Sequence, residues 1–394
     1  MRIMTAQTTE PDAAAAMAEL AQGLDLQGQG KPDFIAVHFG VGMNARDLQA
    51  TLALHCKGAA IHGGTSCLGI MSQTAMNITA GHGVGVLAIW DRDGSYGTAS
   101  ADLGADAGAS AHEVALAALA AAGRTDEIPD FVWLTVAPGR EEQVLAGLKD
   151  VFGPQTPIFG GSSADHDVTG NWSQFGPSAV HRDGIVVSVL FTTAKVGTSY
   201  QSGYAPTGAS GIVTKVEGRR LIEIDGQPAN AVYERWTGGV VPVPTAGSQS
   251  VLQAATLWPL GRVTRHVAGV PFHILAHPAA SHLDGSLDMF ADVPQGEVVW
   301  QMQGSADSLV SRAGRVAQQA RTDGGGTVVG ALVVYCGGCM LSVQDRMDEV
   351  RCEVNLALGG APWLGLFTFG EQGKPSGGRS KHGNLMISCT VFGG

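Results

Sequence analysis

The stretch Ala60-Ile61-His62-Gly63-Gly64-Thr65-Ser66 ends an apolar, strand-like run in a glycine turn followed by hydroxyl residues. A similar sequence pattern recurs at 157–163 (PIFGGSS) and at 362–368 (PWLGLFT). Glycine adopts positive φ without a Cβ clash, so each turn can aim backbone N–H groups and a hydroxyl away from a strand end. Strand ends in α/β sheets are common ligand sites. The recurrence predicts one structural motif used several times around a shared pocket; the simpler alternative is a set of tight turns.

Strand-like runs alternate with helical patterns along the whole chain, which predicts an α/β fold. The expected strands are 34–39, 84–90, 131–137, 185–191, 212–216, 221–224, 298–303, 328–336, 363–369 and 385–392. The expected helices are 44–56, 110–122, 140–152, 230–236, 306–321 and 345–358. A loop at 238–247, rich in glycine and proline, lies near a boundary. We therefore expect two mixed-sheet domains with flanking helices, which an αββα arrangement of packed sheets would accommodate.

Length and composition narrow the function class. A chain of 394 residues exceeds what one core usually supports, so two domains are expected. The net charge of -11 argues against nucleic acid and anionic membrane surfaces, because phosphate binding needs a concentrated basic face. The first 28 residues carry acidic side chains and lack the pattern of a signal peptide, and no apolar run is long enough to span a bilayer. A cytoplasmic, soluble protein is predicted.

Six cysteines in a chain of this length do not form a disulfide framework, so reduced thiols are expected. Cys56, Cys352 and Cys389 fall in apolar patterns and are expected in the core. The other three lie beside glycine turns and are the candidates for chemistry: Cys67, Cys336 and Cys339.

Two motifs in the first half resemble a known family. Residues 60–69 (AIHGGTSCLG) resemble the Gly-x-Ser/Thr-Thr/Ser-x-Gly signature of the FIST N-terminal domain, and 157–165 (PIFGGSSAD) resembles its second Gly-Gly segment. The second half resembles the FIST C-terminal domain in order and spacing, through 284–287 (DGSL), 333–336 (VVYC), 362–365 (PWLG), Gly370-Glu371, His382 and Asn384. The resemblance implies an N-terminal helical extension at 1–29, a FIST N-terminal-like domain at 30–226 and a FIST C-terminal-like domain at 227–394.

The resemblance implies an intracellular sensory module for a small ligand, amino acids having been proposed, that signals to a separate partner such as a histidine kinase or cyclase. Some relatives bind haem, so a haem-based gas sensor is a further alternative by analogy, and a homo-oligomer is left open. One departure concerns the arginine that many members carry after the strand cysteine. Here the segment is Cys336-Gly337-Gly338-Cys339-Met340, which lacks that arginine and the guanidinium group that would bind an anion. A carboxylate would then be held elsewhere, for instance by Arg346 or Arg379.

The preferred hypothesis is a polar, amino-acid-like metabolite bound between the two domains. The glycine turns would supply N–H and hydroxyl donors, while aromatic residues on one face of a strand would form an apolar wall, unless they belong to the core. The predicted ligand-binding residues are Gly64, Thr65, Ser66, Cys67, Gly161, Ser162, Ser163, Cys336, Trp363, Phe367, Glu371 and Asn384.

The rival hypothesis is a thiol-dependent hydrolase of a small amide or ester. It would use Cys339 as nucleophile, His382 as general base and Glu371 to orient the base. A redox pair formed by Cys336 and Cys339 is another alternative. The spacing of the histidines at 273, 277 and 282 superficially resembles that of metal ligands but is not specific for them, so no metal site is predicted.

Overall fold

The computed structural model describes residues 1–78 and 81–394, and its first structural unit spans residues 2–90. The unit contains β1 (Arg2–Thr8), α1 (Ala13–Gly23), α2 (Leu26–Gln29), β2 (Phe34–Phe39), α3 (Ala45–His55), β3 (Ala60–Thr65), β4 (Ile70–Ser72), β5 (Met76–Asn77) and β6 (Val84–Trp90). Four strands hydrogen-bond in the order β1-β6-β2-β3, with β2 and β3 parallel. Asn44 caps α3 by accepting two backbone N–H groups, which starts the helix directly after the turn that follows β2.

The second unit repeats this plan. It contains β7 (Ser95–Asp102), α4 (Ala107–Ala122), β8 (Phe131–Val136), α5 (Glu141–Phe152), β9 (Ile158–Ser162), β10 (Gln174–Phe175), β11 (Val180–His181) and β12 (Gly184–Phe191). Its sheet order is β7-β12-β8-β9, with β8 and β9 parallel. The order matches that of the first unit strand for strand.

The third unit begins with β13 (Lys195–Ser202) and is then interrupted by an inserted sheet. The insertion contains β14 (Ala205–Glu217), β15 (Arg220–Ile224), β16 (Gln227–Pro228), α6 (Ala229–Trp236), β17 (Ser248–Ser250), α7 (Leu252–Ala255), β18 (Leu260–Val267), β19 (Val270–Ala276), β20 (Pro278–His282), β21 (Leu287–Met289) and β22 (Val298–Gln303). These elements have a core of their own, which includes Val213, Tyr233 and Leu260. The inserted sheet is therefore a separate packing unit.

The third unit then resumes the same plan. It continues with α8 (Ala306–Asp323), β23 (Val328–Cys336), α9 (Gly337–Ser342), α10 (Met347–Leu358), β24 (Trp363–Thr368), β25 (Glu371–Gly373), β26 (Lys381–Gly383) and β27 (Met386–Gly393). Its sheet order, β13-β27-β23-β24, is that of the other two units, with β23 and β24 parallel. The chain is thus built from three repeats, which confirms the prediction of one motif used several times.

The repeats exchange hairpins in a closed cycle. The hairpin β4–β5 of the first repeat pairs with β24 of the third, β10–β11 of the second pairs with β3 of the first, and β25–β26 of the third pairs with β9 of the second. Each sheet is therefore completed by a hairpin from a neighbouring repeat. The exchange covers a strand edge that would otherwise be open to aggregation.

Strand alternation separates a central core from outer helical layers. On β2, Phe34 and Ala36 face the central core, while Ile35, Val37 and Phe39 pack against α1 and α3. The same alternation on β8 sends Phe131 and Trp133 to the centre. Because side chains on a strand point to opposite faces in turn, one apolar strand can serve both layers. The three sheets thus enclose a common centre.

The α/β class with mixed sheets and flanking helices is confirmed, and several predicted bounds, such as those of β2 and β23, agree with the structure. Where two mixed-sheet domains were expected, the described residues form four sheets, one in each repeat and the inserted one. The segment 1–29 was expected to be helical, but its residues Arg2–Thr8 form strand β1, which pairs with β6 along its whole length. The expectation of a buried Cys352 is wrong, because its side chain is exposed. No helix among the described residues is long and apolar enough to cross a membrane.

Gly160 lies where the backbone of a neighbouring strand leaves no room for a side chain. It has φ of +146°, and a Cβ there would lie 1.8 Å from the Leu134 carbonyl oxygen. We expect Gly160→Ala to lower the free energy of unfolding by about 3 kcal/mol, because backbone strain and overpacking add. Gly123 has φ of +69° with nothing within 4 Å of its Cβ position, so Gly123→Ala should cost about 1 kcal/mol. Denaturant unfolding measures both; equal costs would contradict the packing argument.

Candidate functional site

The three glycine turns meet at the centre of the molecule, where backbone hydrogen bonds join the repeats in a ring. A residue one or two positions beyond each third strand donates its N–H to a carbonyl of another repeat: Cys67 to Phe367 at 2.9 Å, Phe369 to Ser162 at 3.1 Å and Ala164 to Thr65 at 3.1 Å. The structure therefore brings together the predicted residues of all three segments.

The hydroxyl groups at these turns are used by the chain itself. Thr65 Oγ1 accepts the N–H of Ser173 at 3.1 Å, and Ser66 Oγ accepts the N–H of Phe367 at 2.8 Å. The glycines allow close approach: a Cβ on Gly64 would lie 2.5 Å from Thr135 Cγ2. A Cβ on Gly161 would lie 2.3 Å from Thr368 Cγ2, and Ser163 Oγ bonds weakly to Ser173. These predicted residues hold the ring together.

A cavity of about 110 Å³ lies beside this ring, and we call it the axial cavity. Its walls come from the second repeat, the inserted sheet and the third repeat: His166, Asp167, Val168, Leu252, His277, Phe290, Cys336, Gly338, Leu341, Phe369 and Asn384. Of the predicted residues, Cys336 and Asn384 line it. Trp363 and Phe367 are fully buried in the central core and do not line it, whereas Phe369, one residue beyond β24, does.

Asn384 lines the axial cavity and carries an unused polar group. Its Oδ1 accepts the N–H of His277 at 3.0 Å, which fixes the amide in place. Its Nδ2 is buried and has no hydrogen-bond partner among the described residues. A buried donor without a partner costs free energy, and a bound acceptor would recover that cost.

Burial favours the protonated form of the acidic groups at and near the cavity. Burial raises the pKa of the Cys336 thiol well above its ordinary value, although the N–H groups of Gly338 and Cys339 point at its sulfur. Burial, together with Cys336, also raises the pKa of the Glu371 carboxyl. Burial raises the pKa of Cys67 to about 12. The structure therefore offers neutral thiols at this site and no thiolate, which is the reactive form.

The proposed hydrolase residues are not assembled. The Cys339 thiol lies 3.6 Å from the Tyr204 hydroxyl, and His382 Nδ1 lies 3.1 Å from the Gln372 amide nitrogen. Gln372 is paired with His382 across β25 and β26, so the neighbouring Glu371 points to the opposite face. Within residues 1–78 and 81–394, no hydrogen bond or ion pair joins the side chains of Cys339, His382 and Glu371.

Haem also does not fit the axial cavity. A space of about 110 Å³ is far smaller than a tetrapyrrole. Its two histidines already have partners, since His166 Nδ1 accepts the N–H of Leu68 and His277 Nε2 bonds to the carbonyl of Leu252. Of the arginines suggested as carboxylate anchors, Arg346 is paired with Asp307 and Glu349 at the surface.

A buried charged cluster, which the sequence did not indicate as a site, holds the inserted sheet against the second repeat. Arg219 lies 2.6 Å from Glu141, 2.5 Å from Glu142 and 3.2 Å from Asp292. Donor atoms of Glu141, Glu142 and His382 lie within 4.8 Å of one another, a spacing that could suit a metal ion. Burial alone would raise the pKa of Glu141, but His382 and Arg219 hold it below its ordinary value. The Arg219 guanidinium supplies the positive charge of this cluster.

Arg219 should be essential for stability. We expect Arg219→Gln to lower the free energy of unfolding by about 3–5 kcal/mol, because it leaves buried carboxylates without a counter-charge. The neighbouring Arg220 pairs with Asp284 at the surface, so Arg220→Gln should cost at most about 1 kcal/mol. Denaturant unfolding compares the two variants. Similar losses of unfolding free energy would contradict the role of Arg219 in holding the inserted sheet against the second repeat.

The third repeat places an acid where the second has an amide. Gln174 accepts the N–H of Gly184 at 3.0 Å, and Glu371 accepts the N–H of Met386 at 2.9 Å in the equivalent position. Glu371 also accepts a hydrogen bond from Thr368 Oγ1 at 2.7 Å. Glutamine at 371 would keep both contacts if its amide oxygen accepts the Met386 N–H and its amide NH2 donates to Thr368 Oγ1.

Glu371→Gln should change the pH dependence of stability. The carboxyl keeps its proton in the folded state but loses it on unfolding above the ordinary pKa of 4.5. The stabilisation by Glu371 is therefore complete below pH 4.5 and is lost as the pH rises toward the raised folded pKa, by about 1.4 kcal/mol per pH unit. Relative to the wild type, Glu371→Gln should gain stability from pH 5 to pH 8 in denaturant unfolding. A difference that does not vary with pH would show that the carboxyl is ionised in the fold.

Comparisons with individual known proteins give partial or weak likenesses. An uncharacterized protein, MJ1623 of Methanocaldococcus jannaschii, is 33% identical over 113 residues, which are 28% of this chain and 21% of that protein. A crystal structure of cyanuric acid hydrolase from A. caulinodans covers 100% of this chain and 99% of its own at 11% identity and a TM-score of 0.39. A second cyanuric acid hydrolase structure covers 99% of both chains at 10% identity and a TM-score of 0.37. Likenesses this weak carry no argument.

Two family matches together cover nearly the whole chain. Residues 7–227 match the FIST N domain, and residues 229–374 match the FIST C domain. The two matches meet at the hairpin between β15 and β16 of the inserted sheet, so the family division differs from the division into three repeats. FIST domains are associated with small-ligand sensing and signal transduction. The chain therefore belongs to the FIST family.

Proposed function

We propose that this protein is a cytoplasmic sensory module that binds a small polar molecule in the axial cavity and signals to a separate partner. The observation that carries the proposal is the unpartnered amide nitrogen of Asn384, which is buried in the wall of that cavity. It offers a ready donor to a ligand acceptor such as a carbonyl or carboxylate oxygen.

The walls limit the size and charge of the ligand. About 110 Å³ corresponds to the share of liquid volume of roughly four water molecules, so the ligand has only a few heavy atoms. No lysine or arginine is among the lining residues, and burial lowers the pKa of His277 to about 4. A carboxylate would therefore rely on hydrogen bonds alone, which favours a small neutral amide over an amino acid, with glycine as the smallest amino-acid candidate.

The position of the cavity supports a sensory role. A molecule bound there touches the loop of the second repeat through His166, the inserted sheet through His277 and Phe290, and the third repeat through Cys336. Binding would therefore favour the arrangement in which these parts are closed on one another, and a partner that recognises this arrangement would read the signal. A histidine kinase or a cyclase is the partner class that we propose.

Asn384→Leu tests this proposal. Calorimetric titration with acetamide, urea and glycine should show binding to the wild type that weakens at least tenfold in Asn384→Leu, because the unpartnered amide donor of Asn384 is lost. Asn230 is another buried amide, which bonds to Ser281 and His282 away from the cavity. Asn230→Leu should lose stability but keep its affinity for the probes. Equal weakening in both variants, or binding unaffected by either, would place the ligand elsewhere. Chemical conversion of a probe would make the protein an enzyme.

A further inference from the structure

A second and larger space lies away from the axial cavity and shares no lining residue with it. It is a cleft of about 930 Å³ between β13, helix α8, the hairpin β18–β19 and the loop 374–377. This volume falls in the range typical of sites for metabolite-sized ligands. The cleft is also a junction between the inserted sheet and the third repeat.

Two cations in this cleft have no carboxylate partner. Arg312 is half-buried and bonds only to the neutral side chain of Gln201, at 3.1 Å. Lys374 bonds to the carbonyl of Gln155. Asp323 is the only acid in the wall, and it accepts the N–H of Thr198 at 3.0 Å. Among the described residues, neither Arg312 nor Lys374 forms an ion pair, whereas Arg219, Arg262 and Arg346 all do.

The charge of the cleft is the opposite of the charge of the whole protein. The chain carries a net charge of -11, yet this cleft gathers two cations against one acid. Burial lowers the pKa of both Arg312 and Lys374, because removing a cation from water is unfavourable; the nearby Arg315 adds to the effect at Arg312, and Asp323 only partly offsets it at Lys374. An anion in the cleft would relieve that cost, and arginine is suited to bind a carboxylate or phosphate in a planar fork.

Part of the remaining wall is apolar and aromatic. Tyr200 is almost fully buried and its ring lies 6.4 Å from that of Phe272. Val270 and Pro271 continue this surface along β19 and are exposed. A flat apolar group could pack against these side chains, since aromatic rings prefer offset or tilted contacts at such distances.

We propose that this cleft binds an organic anion with a ring-sized apolar body, its carboxylate or phosphate held by Arg312 and Lys374 and its body packed against Tyr200 and Phe272. The site is independent of the axial cavity and would give the protein a second ligand. Its chemistry differs from that of the axial cavity, which has no cation in its wall.

The test uses four related probes in calorimetric titrations of the whole protein. We expect 3-phenylpropanoate or phenyl phosphate to bind at least tenfold more tightly than the neutral 3-phenylpropanamide. The tighter of the two anions identifies the headgroup, and either one supports the proposal. Phenylalanine should bind more weakly than 3-phenylpropanoate, because its ammonium group would face the two cations. Equal binding of the amide, or tighter binding of phenylalanine, would overturn the proposal.

A matched pair of variants checks the contact. Arg312→Gln should weaken the best anion at least tenfold, whereas Arg315→Gln, one helical turn away on the exposed face of α8, should leave it unchanged. Thermal unfolding of both variants shows whether the fold is kept, and Lys374→Met provides a second reading if Arg312→Gln is unstable. Asn384→Leu should have no effect on these probes, which separates this site from the proposed sensory function. An anion that binds equally well to all of these variants would contradict the assignment.

Discussion

Three backbone hydrogen bonds close the centre of this protein into a ring, and the other features are arranged around it. Each bond runs from a residue one or two positions beyond a third strand to a carbonyl in another repeat, so no repeat completes its own strand end. The exchanged hairpins follow the same cycle, and each covers the third strand of a different repeat. A single repeat would leave both its hairpin and its third strand unpaired, at the cost of many unsatisfied backbone groups. The three repeats therefore depend on one another for stability.

The close contacts within the ring also limit which residues are available to bind a ligand. The hydroxyl groups and glycines of the ring are consumed by close contacts, so the repeated motif itself is structural. Side chains with different chemistry occur where the third repeat departs from the second, since Glu371 stands where the second repeat has Gln174. They also occur where the inserted sheet covers the end of the ring. The cluster around Arg219 fastens that sheet to the second repeat. The axial cavity lies between the second repeat, the inserted sheet and the third repeat, so a ligand bound there would contact all three.

Much of this arrangement was visible in the sequence, and the remainder was hidden for physical reasons. Buried apolar strands such as β2 and β23 were predicted because continuous apolar runs between glycine turns are distinctive. The edge strands β1, β7 and β13 were missed, because their side chains are mixed and only partly buried. Cys336 and Asn384 were predicted and do line a cavity. The positions of His382 and Glu371 on opposite faces depend on the register of β25 and β26, which no spacing along the chain reveals.

The proposed sensory role requires that a small ligand occupies the axial cavity beside the ring. A crystal structure of the protein grown with acetamide would show whether it does. We expect electron density for the ligand between Asn384, His277 and Cys336, with its oxygen within hydrogen-bonding distance of the Asn384 amide nitrogen. An axial cavity that stays free of the ligand, while acetamide occupies another position such as the cleft beside Arg312, would contradict it.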